Sequence, residues 1–146
     1  MASITSANSV LMLSVSSLYV VPQQIQGFAA DDIFDLDALE VAETMMGVDG
    51  RLSSGYVNVP VKWGISLMAD SPSNAIFDNW YVSQKQQQDV YFANGSITLP
   101  SLGVVYTLTK GSLTSYQPGP NAKKVLQPRK HVITWESILP SPVPGV

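Results

Sequence analysis

The chain offers few residues whose types and spacing could do chemistry. Asp31, Asp32, Asp35 and Asp37 alternate with apolar residues such as Phe34 and Leu36. Oxygen ligands at alternating positions suit calcium, but the stretch lacks the glycine and terminal glutamate of a hand-type loop. It reads as an acidic, water-facing segment. The single histidine, His131, sits beside Arg129 and Lys130. Acid–base or nucleophilic work there would need an oriented partner, and the sequence supplies no pairing that marks one. Trp63, Trp80 and Trp135 have the faces to stack on sugars or bases; filling a core is the expectation. No phosphate loop, dinucleotide fingerprint or zinc spacing is present, and there are no cysteines for disulfides or thiolate metal sites. No catalytic, cofactor-binding or metal residue is therefore assigned, and the protein is expected not to be an enzyme.

Composition shifts attention to surfaces. Of the 146 residues only 13% are charged, against roughly 25% in typical domains. The cores of protein interfaces are depleted of Lys, Glu and Asp, so much of this surface is expected to be buried against other subunits. The alternative is an ordinary, weakly charged β domain. The net charge of −3 argues against a nucleic-acid grip, because binding without sequence preference needs cations to displace counterions. The basic residues gather only at Lys123, Lys124, Arg129 and Lys130, read as a solvated loop or an inter-subunit contact. The apolar run from Val10 to Val21 has neither a basic segment before it nor a small-residue cleavage site after it. It is also too short and serine-rich to span a bilayer, and reads as a buried or inter-subunit strand.

The elements that must carry these surfaces are mostly strands. Val57, Val59, Val61, Trp63, Ile65 and Leu67 alternate with Asn58, Pro60, Lys62, Gly64 and Ser66, the period of a strand with one buried face. Pro60 lacks an N–H and places that strand at an edge or bulge. Ser71 is suited to cap a helix with Pro72 in its first turn, and the helix is predicted over about 71–87. Ala75, Ile76, Asn79 and Trp80 form one side of it, with Phe77 and Tyr81 beside them. Residues 9–25 predict one long strand or two short ones, and 41–46 another, before a glycine-rich loop over 47–55. Ala93-Asn94-Gly95 predicts a hairpin turn between Val90-Tyr91-Phe92 and Ser96–Leu99. Lys110-Gly111 predicts a bulge or kink between two strand runs. A loop over 117–127 precedes a last strand, 130–136, with His131, Ile133 and Trp135 on one face. The proline-rich end reads as a flexible tail from 139 to 146, leaving 1–138 as one β domain.

The run Thr44-Met45-Met46-Gly47-Val48-Asp49-Gly50-Arg51-Leu52-Ser53-Ser54-Gly55 resembles the mid-region of bacteriophage tail tube subunits. The strand over 57–67, the helix start Asp70-Ser71-Pro72-Ser73-Asn74, the segment Val90–Leu99 and the closing strand Arg129–Glu136 extend the likeness over roughly 9–138. The resemblance implies a mainly β fold, a β-sandwich or barrel of the tail tube type with one packed α-helix. It implies a homo-oligomer: hexameric rings whose sheets join across subunits and which stack into the conduit for genome delivery. Partners would be the tape measure, the baseplate and, in a contractile tail, a sheath. DNA would be cargo conducted without specific binding. The protein would belong to the virion, be assembled in the host cytoplasm and not insert into a membrane.

Two groups of residues follow as candidates. Met45, Met46, Gly47, Asp49, Gly50 and Arg51 form a loop able to reach a neighbouring subunit, since glycines permit turn conformations and methionines adapt to a partner. Asn58, Asp89, Ser96 and Thr98 are polar positions suited to face a lumen. Lys62 would attract phosphate there, so it is expected to point away or to be offset by an acid such as Asp89. Competing readings are another β-rich virion component (tube initiator, tail terminator or decoration protein) and a carbohydrate-binding β-sandwich that uses the tryptophans.

Overall fold

The computed structural model describes residues 9–29 and 33–142; Asp31 and Asp32 lie outside them. The strands are β1 (Val10–Val15), β2 (Tyr19–Gln24), β3 (Phe34–Leu36), β4 (Ala42–Met46), β5 (Leu52–Tyr56), β6 (Val61–Leu67), β7 (Ala93–Leu99), β8 (Val104–Ser115) and β9 (Arg129–Pro142). A helix, α1 (Asn74–Gln87), lies between β6 and β7. Seven strands form one sheet in the order β2-β1-β7-β8-β9-β6-β3, and β4 and β5 form a separate hairpin. Every pairing is antiparallel. The expected mainly β fold with one packed helix is what the chain adopts.

The large sheet is rolled. The segment after β2 acts as a strap between distant strands. Ile25 donates its N–H to the Leu11 carbonyl of β1 (2.8 Å), and Ala29 donates to the Ser66 carbonyl of β6 (3.1 Å). Phe28 bridges Leu67 of β6. In a flat sheet β1 and β6 would lie four strand spacings apart, roughly 19 Å. The chain from Ile25 to Phe28 reaches at most about 11 Å, so the sheet must curl to bring the two together. The roll is not a closed barrel among the described residues, because β2 and β3 end the sheet without pairing to each other.

The inside of the roll holds the core. Alternation in β6 buries Val61, Trp63, Ile65 and Leu67 and exposes Lys62. These side chains meet Leu11 and Leu13 of β1, Ile97 of β7, Ile133 and Trp135 of β9, and Ile76, Phe77 and Trp80 of the helix. The Trp63 and Trp135 rings are 5.9 Å apart. On β9, His131, Ile133 and Trp135 share the buried face, as their spacing predicts. The edge strand β2 accommodates Pro22, where a missing N–H removes no ladder bond that a central strand would need.

The helix begins later than its sequence suggests. Ser73, not Ser71, is the N-cap, and it makes no side-chain cap bond. Both hydroxyls are used on the strap. Ser71 Oγ donates to the Gln26 carbonyl (2.5 Å), and Ser73 Oγ accepts the Gln26 N–H (2.7 Å). Gly27 has φ +73° there, and a Cβ on it would sit 2.7 Å from Ser71 Cβ, so the crossing needs glycine. The buried helix face is Asn74, Ile76, Phe77 and Trp80. Ala75 and Asn79 face water instead, because the face centres on Phe77; Asn79 donates to the Tyr19 hydroxyl (2.7 Å).

Four local expectations change. The long strand expected over 57–67 is shorter: Tyr56 ends β5, residues 57–60 are a connector, and β6 starts after Pro60 and runs inside the sheet between β9 and β3. The glycine-rich loop is shorter, since residues 52–56 are strand. The Asn94-Gly95 turn does not exist. Residues 93–99 are one strand because both sides are taken, by β1 and by β8. A bulge sits there instead: the register shifts between Ala93 and Gly95, opposite Lys110 with φ +50°, which meets the expected kink. Finally, β9 continues through residues 139–142, paired to β8 as far as Pro142↔Val104. Prolines fit because β6 ends opposite Trp135, which leaves that part of β9 bonded on one side only.

Candidate assembly surfaces

The β4–β5 hairpin stands off the body, and each of its strand residues is exposed. Its register pairs Ala42 with Tyr56 and Met46 with Leu52 on one face, and Met45 with Ser53 on the other. Met45 is 76% exposed, Met46 63%, Leu52 61% and Tyr56 79%. A two-stranded ribbon is at best marginal in water, and contiguous exposed apolar groups mark interaction surfaces. The tip is built locally. Gly47 donates to the Arg51 carbonyl (2.8 Å), Gly50 donates to the Gly47 carbonyl (3.0 Å) at φ +85°, and Asp49 Oδ1 accepts the Arg51 N–H (3.2 Å). Arg51 and Asp49 also approach to 3.8 Å, both well exposed. Thus Met45, Met46, Gly47, Asp49, Gly50 and Arg51 are brought together at one protruding end.

At the hairpin's base lies an open groove of about 620 Å³. Leu39, Val41, Tyr56, Val57 and Val59 form one wall, and Glu136, Ile138 and Leu139 of β9 form the other. Nothing in the sequence pointed to it, because Leu139 falls in a stretch whose prolines suggested a tail.

The outer face of the large sheet is a second surface. Ser96 lies opposite Met12 on one side and Thr107 on the other, and Thr98 lies between Val10 and Val105. Thr107 and Thr109 in turn face Leu139 and Ser137, and the Thr109 and Ser137 hydroxyls are 2.5 Å apart. These positions carry hydroxyl and apolar groups and no ionised side chain. Lys62 also projects outward and is exposed, and no ion pair joins it to Asp89. Asp89 lies in the turn after the helix, where its Oδ1 accepts the Val90 N–H (2.8 Å). Asn58 is in the connector at the groove. The four lumen candidates therefore do not share one face: Ser96 and Thr98 do, while Asn58 and Asp89 lie elsewhere.

The residues with catalytic chemistry are engaged in structure. Phe77 and Tyr116 stack against the His131 ring at 4.4 and 5.4 Å. Its Nε2 is 3.4 Å from Asn74 Oδ1, and Nδ1 has no protein partner. Burial, aided by the Arg129 charge, lowers its pKa from 6.5 to about 4, so the ring is neutral near pH 7. Buried Arg129 pairs with Asp78 at 2.8 Å and donates to the Gln117 carbonyl (2.8 Å). Tyr116 donates its hydroxyl to the same Asp78. Burial raises the Asp78 pKa, but the hydrogen bonds from Arg129 and Tyr116 outweigh it and hold the carboxyl below its ordinary value. Lys130 pairs with Asp35 (3.0 Å), whose other oxygen accepts the Gly64 N–H. Of the basic cluster, Lys123 and Lys124 remain as an exposed loop. Trp63, Trp80 and Trp135 have no exposed surface, so a sugar-stacking platform of tryptophans is ruled out. Among the described residues no group of acids and histidines could hold a metal, and no helix is long and apolar enough to cross a membrane.

The family model described as "Tail fiber protein gp32" matches residues 2–139. The chain belongs to this family. A search of curated protein sequences gives no significant match. Among solved structures, this gp32-family chain is similar to one in the anti-feeding prophage baseplate, with a TM-score of 0.62, 14% identity and 99% of each chain covered. It is similar to one in the anti-feeding prophage tube-terminating cap, with a TM-score of 0.63 and 10% identity, covering 98% of this chain and 93% of that one. A third likeness is to a chain of the sheath–tube complex of an extracellular contractile injection system, with a TM-score of 0.58 and 12% identity, covering 91% and 88%. At these identities the likeness is one of fold. The gp32-family chain thus has the fold of subunits found in tail-like particles, with the hairpin and the hydroxyl-bearing sheet face as its available surfaces.

Proposed function

We propose that this protein is a structural component of a tail or tail-like injection particle, a subunit that assembles with itself into hexameric rings stacked as a tube. The observation that carries the reading is the β4–β5 hairpin, a ribbon that bears exposed Met45, Met46, Leu52 and Tyr56 and whose strands pair, among the described residues, only with each other. The family description names a fibre, whereas the similar folds belong to chains of a tube-terminating cap and of a sheath–tube complex; the reading follows the fold. It assigns no catalytic step and no cofactor. The partners are other tail proteins, with tape measure, baseplate and sheath as the candidates, and the site of assembly is the host cytoplasm. The near absence of charge around Ser96 and Thr98 suits a wall along which a polyanion slides.

A second reading makes the protein a ring at one end of the tube rather than its repeating unit. The likenesses to a baseplate chain and to a tube-terminating cap support it. Negative-stain imaging of the purified protein separates the two. Long polymers with a central channel support the repeating unit; isolated rings that stop growing support the terminal role. Deleting Gly47 to Ser54 should leave a folded subunit that no longer polymerises. A monodisperse monomer by light scattering, over a wide range of concentration and salt, overturns both readings.

A further inference from the structure

A glycine that follows aspartate or asparagine leaves its main-chain nitrogen unshielded. That nitrogen can attack the preceding side-chain carbonyl carbon and close a five-membered succinimide. The sequence holds this arrangement at Asp49-Gly50 and at Asn94-Gly95. In an unfolded chain near neutral pH the asparagine pair reacts faster, because a neutral amide is a better electrophile than an ionised carboxylate. The fold reverses that order. Asn94 and Gly95 lie inside β7, with Ser14 and Leu13 of β1 opposite them on one side and Leu108 of β8 opposite Gly95 on the other. Asn94 Oδ1 accepts the Lys110 N–H (3.3 Å), and the Ser14 hydroxyl donates to the Asn94 carbonyl (3.3 Å). A Cβ on Gly95 would stand 3.0 Å from the Met12 carbonyl oxygen and 3.1 Å from the Trp135 ring, so this backbone has little room to turn. Ring closure there requires β7 to leave both neighbours, an opening close to that of the whole sheet.

The other pair stands at the tip of the β4–β5 hairpin. The Asp49 side chain is 67% exposed. Gly50 has φ +85°, and a Cβ on it would meet nothing within 4 Å. The Gly50 N–H is held by the Gly47 carbonyl at 3.0 Å, and Asp49 Oδ1 by the Arg51 N–H at 3.2 Å. Both bonds belong to one turn at the end of a two-stranded ribbon, which is marginal in water. They open without disturbing the rolled sheet.

We propose that Asp49 of the free subunit is a site of spontaneous conversion to isoaspartate. With the carboxyl in its acid form, the Gly50 nitrogen bonds to Asp49 Cγ, and the carboxyl OH leaves as water with the proton of that nitrogen. A water molecule then opens the ring. Addition at Cγ restores aspartate, whereas addition at the main-chain carbonyl leaves the chain running through Cγ. The net change is an isomerisation that consumes no oxidant or co-reactant. The product carries one more carbon in the backbone of the tip, which breaks the spacing of the bonds among Gly47, Gly50 and Arg51. The tip thus holds a chemical record of how long a subunit has stood in solution.

The test ages the full chain for weeks at a dilution where light scattering shows single subunits, beside the same chain in denaturant. Isoaspartate is labelled with an isoaspartyl methyltransferase and placed by peptide mapping. In the folded chain the label should fall on the tip peptide, tenfold or more above the peptide that contains Asn94. In denaturant the Asn94 peptide should lead. Asp49→Glu keeps the charge but would have to close a larger, slower ring. It should lower the tip label tenfold or more while the circular dichroism spectrum stays the same. A folded chain labelled chiefly at Asn94, a folded chain without label at the tip, or a tip label that survives Asp49→Glu overturns the proposal. A denatured chain labelled first at Asp49 overturns the claim that the fold sets the order.

Discussion

The Trp135 indole lies directly on Gly111, so that a Cβ on that glycine would sit 2.5 Å from Trp135 Cε3. On the next strand over, a Cβ on Gly95 would come within 3.1 Å of the same ring. The two glycines on β7 and β8 form the floor on which the largest side chain of β9 rests. Gly111→Ala should therefore destabilise the fold by about 1–3 kcal/mol, the usual cost of overpacking, as a lower denaturant midpoint. Unchanged stability would mean that Trp135 can move aside.

Trp80 is fully buried, stacked beside Phe77 at 6.3 Å, and donates its indole N–H to the Tyr91 carbonyl (3.0 Å). Trp80→Ala should cost about 3–5 kcal/mol, a large share of a domain stability of roughly 5–15 kcal/mol. The expected readout is little soluble protein, or a much lower melting temperature. Equal melting temperatures would contradict the helix docking.

Acid should loosen the fold in two windows. His131 has its pKa lowered from 6.5 to about 4, so between those values the unfolded chain binds the proton that the folded chain refuses. Its contribution is fully present above pH 6.5 and is lost as pH falls toward 4, amounting to about 3 kcal/mol. Asp78, also lowered, adds stability above its unfolded value of 3.8 that is lost at still lower pH. Unfolding measured against pH should show stability rising from pH 4 to 6.5, and His131→Phe should flatten that slope. A slope of equal size in the variant would place the titration elsewhere.

Positive charge on the outer sheet face should act on passage rather than on assembly. Ser96→Lys or Thr98→Lys adds a cation to a half-exposed position among hydroxyl and apolar groups. If this face lines a channel, tails should form normally and genome ejection should slow, more so at low salt, where the attraction is less screened. Unchanged ejection from well-formed tails removes both positions from the channel wall.

The sequence showed its regular parts where one period ran unopposed. The alternation from Val61 to Leu67 and from Arg129 to Trp135 was legible because one face of each strand meets a core. It misled where neighbours decide the outcome. Asn94-Gly95 has turn chemistry, but two flanking strands claim its backbone, so the irregularity becomes a bulge. Pro140 and Pro142 looked like the start of a tail, yet an edge bonded on one side tolerates them. The apolar tip of the hairpin was legible from Met45, Met46 and the glycines around them. The groove was not, because its walls come from segments distant in sequence, around Val41, Tyr56, Thr109 and Leu139, and no local pattern records their meeting. The link among Arg129, Asp78 and Tyr116 was hidden for the same reason.

The rolled sheet sets an order on the chain's own biogenesis. Ser14 in β1 bonds to Asn94 in β7, 80 residues later. Leu11, Leu13 and Val15 thus leave the ribosome long before the strand that pairs with them exists. At synthesis rates of about 5–20 residues per second, that delay is roughly 4–16 s. Throughout it the nascent chain carries a sticky N-terminal hairpin with an open edge. Each nascent chain thus waits seconds with the same unpaired strand edge open to pairing with another chain, until β7 emerges and takes it.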